Sequence, residues 1–299
     1  YGTDNIWLQQ SGNNIQYSNN NSTWTNITSW PVTIINSNPS TQTLNIIVNT
    51  DLTFTPSING TTLEGPDLYF IMGSSNIIFD GKSKAITITN ITNYPGFIQN
   101  NYSNITVQYV NVLSSGTTTL YSNAGWITQW YFGTNSTDCA VLFCSSNGVI
   151  SSNGGGIVGS YSICSITNCW STGTISGTSS AGIAGSNSKC TITNCYSRGS
   201  ISGTYAGGIV GHFSSGTVKN CYSLGTISGT SAGGIIGPNA TTTLTNTYAA
   251  NGTWSDTTAK INLLCYPYYV SNIPTINGTI WNQTTANTPY TVSTTNPTI

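Results

Sequence analysis

Charge is what this chain has least of. Only 4% of its 299 residues are charged, the formal net charge is −1, and there is a single histidine, His212. That poverty excludes a nucleic-acid partner, which needs a basic face to replace the counterions of a phosphate backbone. It excludes adhesion to an anionic membrane surface on the same ground. No run of 18 apolar residues occurs, so no helical membrane insertion is expected. Cys-x-x-Cys is absent, and with one imidazole the chain lacks a zinc-ligand set; no metal and no cofactor is expected.

Carboxylates are equally scarce. The only glutamate is Glu64, the aspartates are Asp4, Asp51, Asp67, Asp80, Asp138 and Asp256, and none lies between Cys139 and Ser255. Glycoside hydrolysis needs two carboxyl groups at a defined separation. Only Glu64, Asp67 and Asp80, with Lys82 or Lys84, could supply such a cluster. Their context, Glu64-Gly65-Pro66-Asp67 and Asp80-Gly81-Lys82, reads instead as turns held by acidic residues. His212 has no sequence-evident nucleophile beside it, and Gly154-Gly155-Gly156 is followed by no Gly-Lys-Ser/Thr, so it is not a phosphate loop. No catalytic residue is assigned, and the protein is expected not to be an enzyme.

What the chain has is repetition. Gly156-Ile157-Val158-Gly159 returns as Gly182-Ile183-Ala184-Gly185, Gly208-Ile209-Val210-Gly211 and Gly234-Ile235-Ile236-Gly237, a step of 26 residues. Asn168-Cys169-Trp170-Ser171, Asn194-Cys195-Tyr196-Ser197 and Asn220-Cys221-Tyr222-Ser223 keep the same step, fading to Asn246-Thr247-Tyr248-Ala249. Ile175, Ile201 and Ile227, each followed by Ser-Gly-Thr, keep it too. A fixed period means one unit stacked on itself. Each unit carries three short β-type stretches, in the second copy around Ile192, Ile201 and Ile209, divided by glycines and polar pairs, with no helical spacing. The expected fold is all-β, a single-stranded parallel β-helix of about 26-residue coils. Its core is three apolar columns: Ile166, Ile192, Val218 and Leu244; Ile175, Ile201 and Ile227; Ile157, Ile183, Ile209 and Ile235. Glycines are expected to supply the backbone freedom of the bends, and Asn168, Asn194, Asn220 and Asn246 to form an amide ladder.

These motifs resemble the GLUG-type repeat of large surface and secreted proteins. Upstream, Tyr69–Gly81 and Asn104–Val112 resemble irregular coils of right-handed β-helix proteins. The pairing of the two halves resembles proteins predicted from giant DNA virus genomes. The resemblance implies a right-handed coil and a location that is extracellular or on a virion surface.

The expected organisation is an N-terminal cap over 1–40, containing Trp7, Trp24 and Trp30; irregular coils over 41–140; regular coils over 141–255; and a C-terminal cap or tail over 256–299. Caps are needed because a bare terminal coil presents unpaired strand edges. Beginning at Tyr1 rather than methionine, the chain is expected to have lost a leader or to belong to a longer one. Twelve Asn-x-Ser/Thr acceptors suit a glycosylated exterior protein: Asn20, Asn21, Asn26, Asn59, Asn90, Asn101, Asn104, Asn135, Asn239, Asn251, Asn277 and Asn282. Among eight cysteines, Cys169, Cys195 and Cys221 share one phase and Cys164 and Cys190 another; Cys139, Cys144 and Cys265 are unassigned. Coil spacing of about 4.8 Å lies within the Cα separation a disulfide tolerates, so either inter-coil disulfides or small core thiols fit.

Trp170, Tyr196, Tyr222 and Tyr248 share one phase. Facing out, they would offer sugar rings a stacking stripe; facing in, they would be a core stack, the arrangement favoured by the stabilising effect of aromatic ladders. Tyr102, Tyr109, Trp126, Trp130 and Tyr131 suggest a second cluster, a cap or an interface. The function read from all this is structural: a rigid, glycosylated rod packing against copies of itself or a capsid or cell-surface partner. The alternative is a glycan- or receptor-binding attachment protein, and a polysaccharide lyase or hydrolase comes third.

Overall fold

The computed structural model describes residues 2–58, 61–62, 67–134 and 138–249 and the short pairs 275–276 and 279–280. Among them the chain is all-β, dominated by one large and mostly parallel sheet. The alternation of buried and half-buried residues along strands such as Gln42–Val48 and Ala85–Thr89 explains the choice: every second β-branched or aliphatic side chain turns inward, the signature of a strand with one buried face.

The stacking is clearest in a single column of the core. Ile6, Ile46, Phe79, Val107, Val141, Ile166, Ile192, Val218 and Leu244 are neighbours in parallel register, one rung to the next. Successive members lie 40, 33, 28, 34, 25, 26, 26 and 26 residues apart. The irregular and regular halves therefore share one hydrogen-bonded stack and one continuous core. The three apolar columns expected from the repeat are all buried.

Three runs of pairing carry strands as they climb the stack, and two more, from Gly125 to Gly233 and from Ile150 to Ile227, are single bridges throughout. Ile77–Asp80, Ile105–Gln108, Ala140–Leu142, Ser165–Thr167 and Lys189–Thr193 form the first. Ala85–Thr89, Asn111–Ser115, Ser145–Ser146, Trp170–Ser171 and Tyr196–Ser197 form the second. The third begins as Val32–Ile34, Phe70–Met72 and Ile98–Asn100 and continues as single bridges through Thr128, Val158, Ala184, Val210 and Ile236. The stretches around Ile201 and Ile209 are thus single-residue bridges rather than strands, because the adjacent glycines and bends end each pairing after one residue. At the N-terminal end Gly2–Ser11 pairs in parallel with Gln42–Val48 and antiparallel with Asn14–Ser18. That hairpin, extended by Thr25–Asn26, covers the edge of the first rung.

The bends do not work as the glycines suggested. Positive φ is carried by 22 non-glycine residues against five glycines among those described, so asparagine, serine and aromatic residues make the left-handed corners. Three corner columns emerge. The first is Tyr109, Phe143, Asn168, Asn194 and Asn220; the second Asn123, Asn153, Ser179, Tyr205 and Ser231; the third Tyr131, Tyr161, Asn187, Phe213 and Asn239. Asparagine tolerates this region better than most residues. The repeat glycines serve close approach instead: a Cβ at Gly156 would meet the Gly182 carbonyl oxygen, one at Gly182 that of Gly208, and one at Gly208 that of Gly234.

Between the second and third corners the chain tucks inward. Ser160 N donates to Asn123 O at 2.8 Å and Ser186 N to Asn153 O at 3.0 Å, closing the mouth of each tuck across adjacent coils. Residues 180–186 inside it are buried without alternation. The N-terminal core is aromatic by contrast, with Trp30, Phe54, Phe70, Phe79 and Phe97 meeting edge to face or tilted at 5.3–5.8 Å.

Candidate functional site

The Trp170 column stands on the outer face. It lies between the inward-facing Cys169 and Ser171, Cys195 and Ser197, Cys221 and Ser223, and strand alternation turns it away from the core. The core stack favoured from the sequence is thereby corrected: the phase had fixed a shared face, but not which one. Trp170 and Tyr196 stack at 5.9 Å and 6°, Tyr196 and Tyr222 at 5.0 Å and 1°. The ring faces are turned to one another, Trp170 and Tyr196 are half-buried, and Tyr222 is fully buried. Burial pushes both phenol pKa values up. Tyr248 continues the backbone register; its side chain lies outside the described residues.

Beside this ladder runs the first corner column. Asn220 Nδ2 donates to Asn194 Oδ1 at 3.1 Å, a rung of the expected amide ladder. Upstream the same corner carries Tyr109 and Phe143, stacked at 4.9 Å and 7°, which their unequal spacing from the repeat had hidden. The second aromatic cluster expected from sequence is dispersed: Trp126 is core, Trp130 meets Tyr121 at 5.6 Å, Tyr131 meets Tyr161 at 5.1 Å, and Tyr102 is exposed.

Each cysteine column gains a member. Cys139 aligns with Cys164 and Cys190, and Cys144 with Cys169, Cys195 and Cys221. All seven described cysteines are buried free thiols, with Cys164 Sγ 3.7 Å from Cys190 Sγ. In the other column Cys144 N donates to Cys169 Sγ at 3.3 Å, and Cys169 N and Cys195 N each reach the next sulfur at 3.4 Å. Burial pushes Cys169, Cys195 and Cys221 well up; for Cys164 the contact with Cys190 is the larger cause, burial the second. Cys265 lies outside the described residues.

Asp80 is occupied structurally. Its carboxylate accepts from Lys82 N at 2.8 Å and Gln108 Nε2 at 3.1 Å and pairs with Lys82 Nζ at 2.9 Å, holding a turn. Asp67 is exposed and Glu64 lies outside the described residues. Among the described residues no cluster of three or more His, Cys, Asp or Glu is placed to hold a metal. Of the glycan acceptors, Asn20, Asn21, Asn26, Asn90, Asn101, Asn104 and Asn239 are exposed; Asn59, Asn135, Asn251, Asn277 and Asn282 lie outside the described residues. Asn104 and Asn239 already commit their amide nitrogens, to Asn76 and His212.

His212 acquires partners that sequence proximity could not reveal. Its Nδ1 lies 3.4 Å from Ser179 Oγ, its Nε2 3.0 Å from Asn239 Nδ2, and its ring stacks on Tyr205 and Phe213. Burial pulls its pKa down. The three groups meet because a left-handed corner of one coil lies directly against the mouth of the next tuck.

Residues 202–228 match the GLUG motif. No curated protein sequence matches the chain significantly. A crystal structure of a candidate immunoglobulin A1 protease from Bacteroides ovatus is similar over 69% of this chain and 68% of that one, at 23% identity and a TM-score of 0.46.

Proposed function

We propose that the chain is a rigid structural rod: a right-handed parallel β-helix of about 26-residue coils, capped by its N-terminal hairpin, displayed extracellularly or on a virion surface, and packing against its own copies or a surface partner. The observation that carries the reading is the unbroken column from Ile6 to Leu244, paired rung upon rung. Bending such a stack breaks backbone hydrogen bonds on one side and core contacts on the other, so the unit is stiff. The outer ladder fits the same purpose, since rings stacked on each other at coil spacing brace neighbouring coils.

Self-association follows from low charge. With a net charge of −1, copies meet no long-range repulsion. Glycans on exposed acceptors such as Asn20, Asn26 and Asn90 would supply the missing hydration. A second reading, contact with a glycan or receptor through the Trp170 column, draws on the half-buried, outward Trp170 and Tyr196; the full burial of Tyr222 and the mutual covering of the ring faces weigh against it.

Negative-stain electron microscopy of the natively purified protein tests the structural reading. Filaments or closed oligomers of straight rods are expected. Monomeric, flexible particles at every concentration would overturn it.

A further inference from the structure

We propose that the second and third corners form a binding site for a neutral carbohydrate, centred on Tyr205, His212 and Phe213. The site is separate from the Trp170 ladder and independent of the structural reading.

The repeat supplies its own control. On the coils either side of Tyr205 the second corner is Ser179 and Ser231; on those either side of Phe213 the third corner is Asn187 and Asn239; His212 stands where Ser186 and Pro238 stand. The backbone is the same throughout, with φ of 61°, 58° and 53° along the second corner and 57°, 55° and 57° along the third. Serine and asparagine therefore build these corners without help from a ring. One coil replaces all three positions with aromatic residues at once. Phe213 is 57% exposed, more than any other large aromatic among the described residues, and Tyr205 is 42% exposed. Folding gains little from rings left in water in a strained conformation.

The rings form one stack with His212 in the middle, Tyr205 and His212 at 5.3 Å and 18°, His212 and Phe213 at 3.9 Å and 30°, so the faces left for a ligand are the outer ones of Tyr205 and Phe213. Asn239 Nδ2 lies 3.0 Å from His212 Nε2 and Ser179 Oγ 3.4 Å from its Nδ1, which pins the imidazole between neighbouring coils. Asn187 stands exposed one coil away. An exposed end ring such as Phe213, fringed by amides and hydroxyls, suits a sugar, whose C–H face stacks while its hydroxyls bond the fringe. Among the described residues neither corner column carries a charge, and Lys189, exposed two residues past Asn187, is a lone cation beside them, so the sugar proposed is neutral. Nucleic-acid bases would stack equally well but require a cationic track for the backbone.

The same edge extends the site. Tyr131 and Tyr161 stack at 5.1 Å and 19° on the third corner, both exposed, with Tyr121 against Trp130 alongside. Tyr131 and Phe213 stand three coils apart, about 14 Å at strand spacing. That length fits an oligosaccharide laid along the stack rather than a single residue.

The test is calorimetric titration of protein made in a bacterial host, which leaves Asn239 unmodified, with neutral gluco-, manno- and galacto-oligosaccharides and an acidic uronide control. The comparison variant combines Tyr205→Ser, His212→Ser and Phe213→Asn, the residues that adjacent coils carry at these corners. Saturable binding of a neutral oligosaccharide is expected, at least about tenfold weaker in the variant, with an unchanged melting temperature. If the triple variant fails to fold, Phe213→Asn alone takes its place in the same titration. The proposal is overturned if no neutral oligosaccharide binds the native protein, if the variant binds equally, or if the edge mediates only contact between copies of the chain.

Discussion

At the residue scale, glycine and asparagine exchange the parts that composition assigns them. Asn194 holds φ of 54° and its Oδ1 accepts a hydrogen bond from the Asn220 side-chain amide, while Gly182 lies where a Cβ would meet the backbone of the next coil. Replacing each glycine by alanine should separate the two demands. Gly182→Ala should destabilise by about 3 kcal/mol or more, since the obstruction is a carbonyl that cannot move without shifting a rung. Gly12→Ala meets nothing within 4 Å at φ +60° and should cost only about 1 kcal/mol of left-handed strain. Urea melts of the two variants decide the matter; equal losses would refute the close-packing role.

At the element scale, the strands are too short to be stable alone, and their strength is that of the columns they join. Tyr196–Ser197 is two residues long, yet it is held between Trp170–Ser171 and the Ser215–Ser223 strand. Ile192, fully buried between Ile166 and Val218, should lose about 2–5 kcal/mol on Ile192→Ala through transfer and cavity terms. Because each coil contacts only its neighbours, hydrogen exchange in that variant should quicken in the coils around Ile192 and stay slow near Phe79. Uniform acceleration along the chain would show that the stack opens as a single unit.

At the scale of the whole molecule, alkaline pH dependence falls on buried thiols and a buried phenol. Cys164, Cys169, Cys195 and Cys221 are held well above their ordinary value of 9.0, and Tyr94 well above 10.0 by burial. The folded chain therefore keeps protons that the unfolded chain releases once pH passes about 9. Stability should be flat from about pH 7 to 8 and fall as pH rises through 9 and beyond. Melting temperatures under reducing conditions up to about pH 11 check this; a curve flat throughout would contradict it. On the acid side His212 is held below 6.5, so stability falls only slightly as pH drops through that value.

The sequence determined the repeat, the β class, the three apolar columns and the shared phases of cysteine, asparagine and tyrosine, because a period of 26 residues leaves its mark wherever identical units stack. Tertiary structure decided what periodicity is blind to. Phase groups residues on one face without saying which way that face looks, so the Trp170 ladder needed the alternation around Cys169 and Ser171 to be placed outside. Unequal coil lengths hid the column from Ile6 to Val141 and the corner shared by Tyr109, Phe143 and Asn168. Contacts between coils brought Ser179, Tyr205, His212 and Asn239 together across 60 residues of chain. Stacking turns distance along the chain into adjacency in space, and only the register of the rungs says which distances collapse.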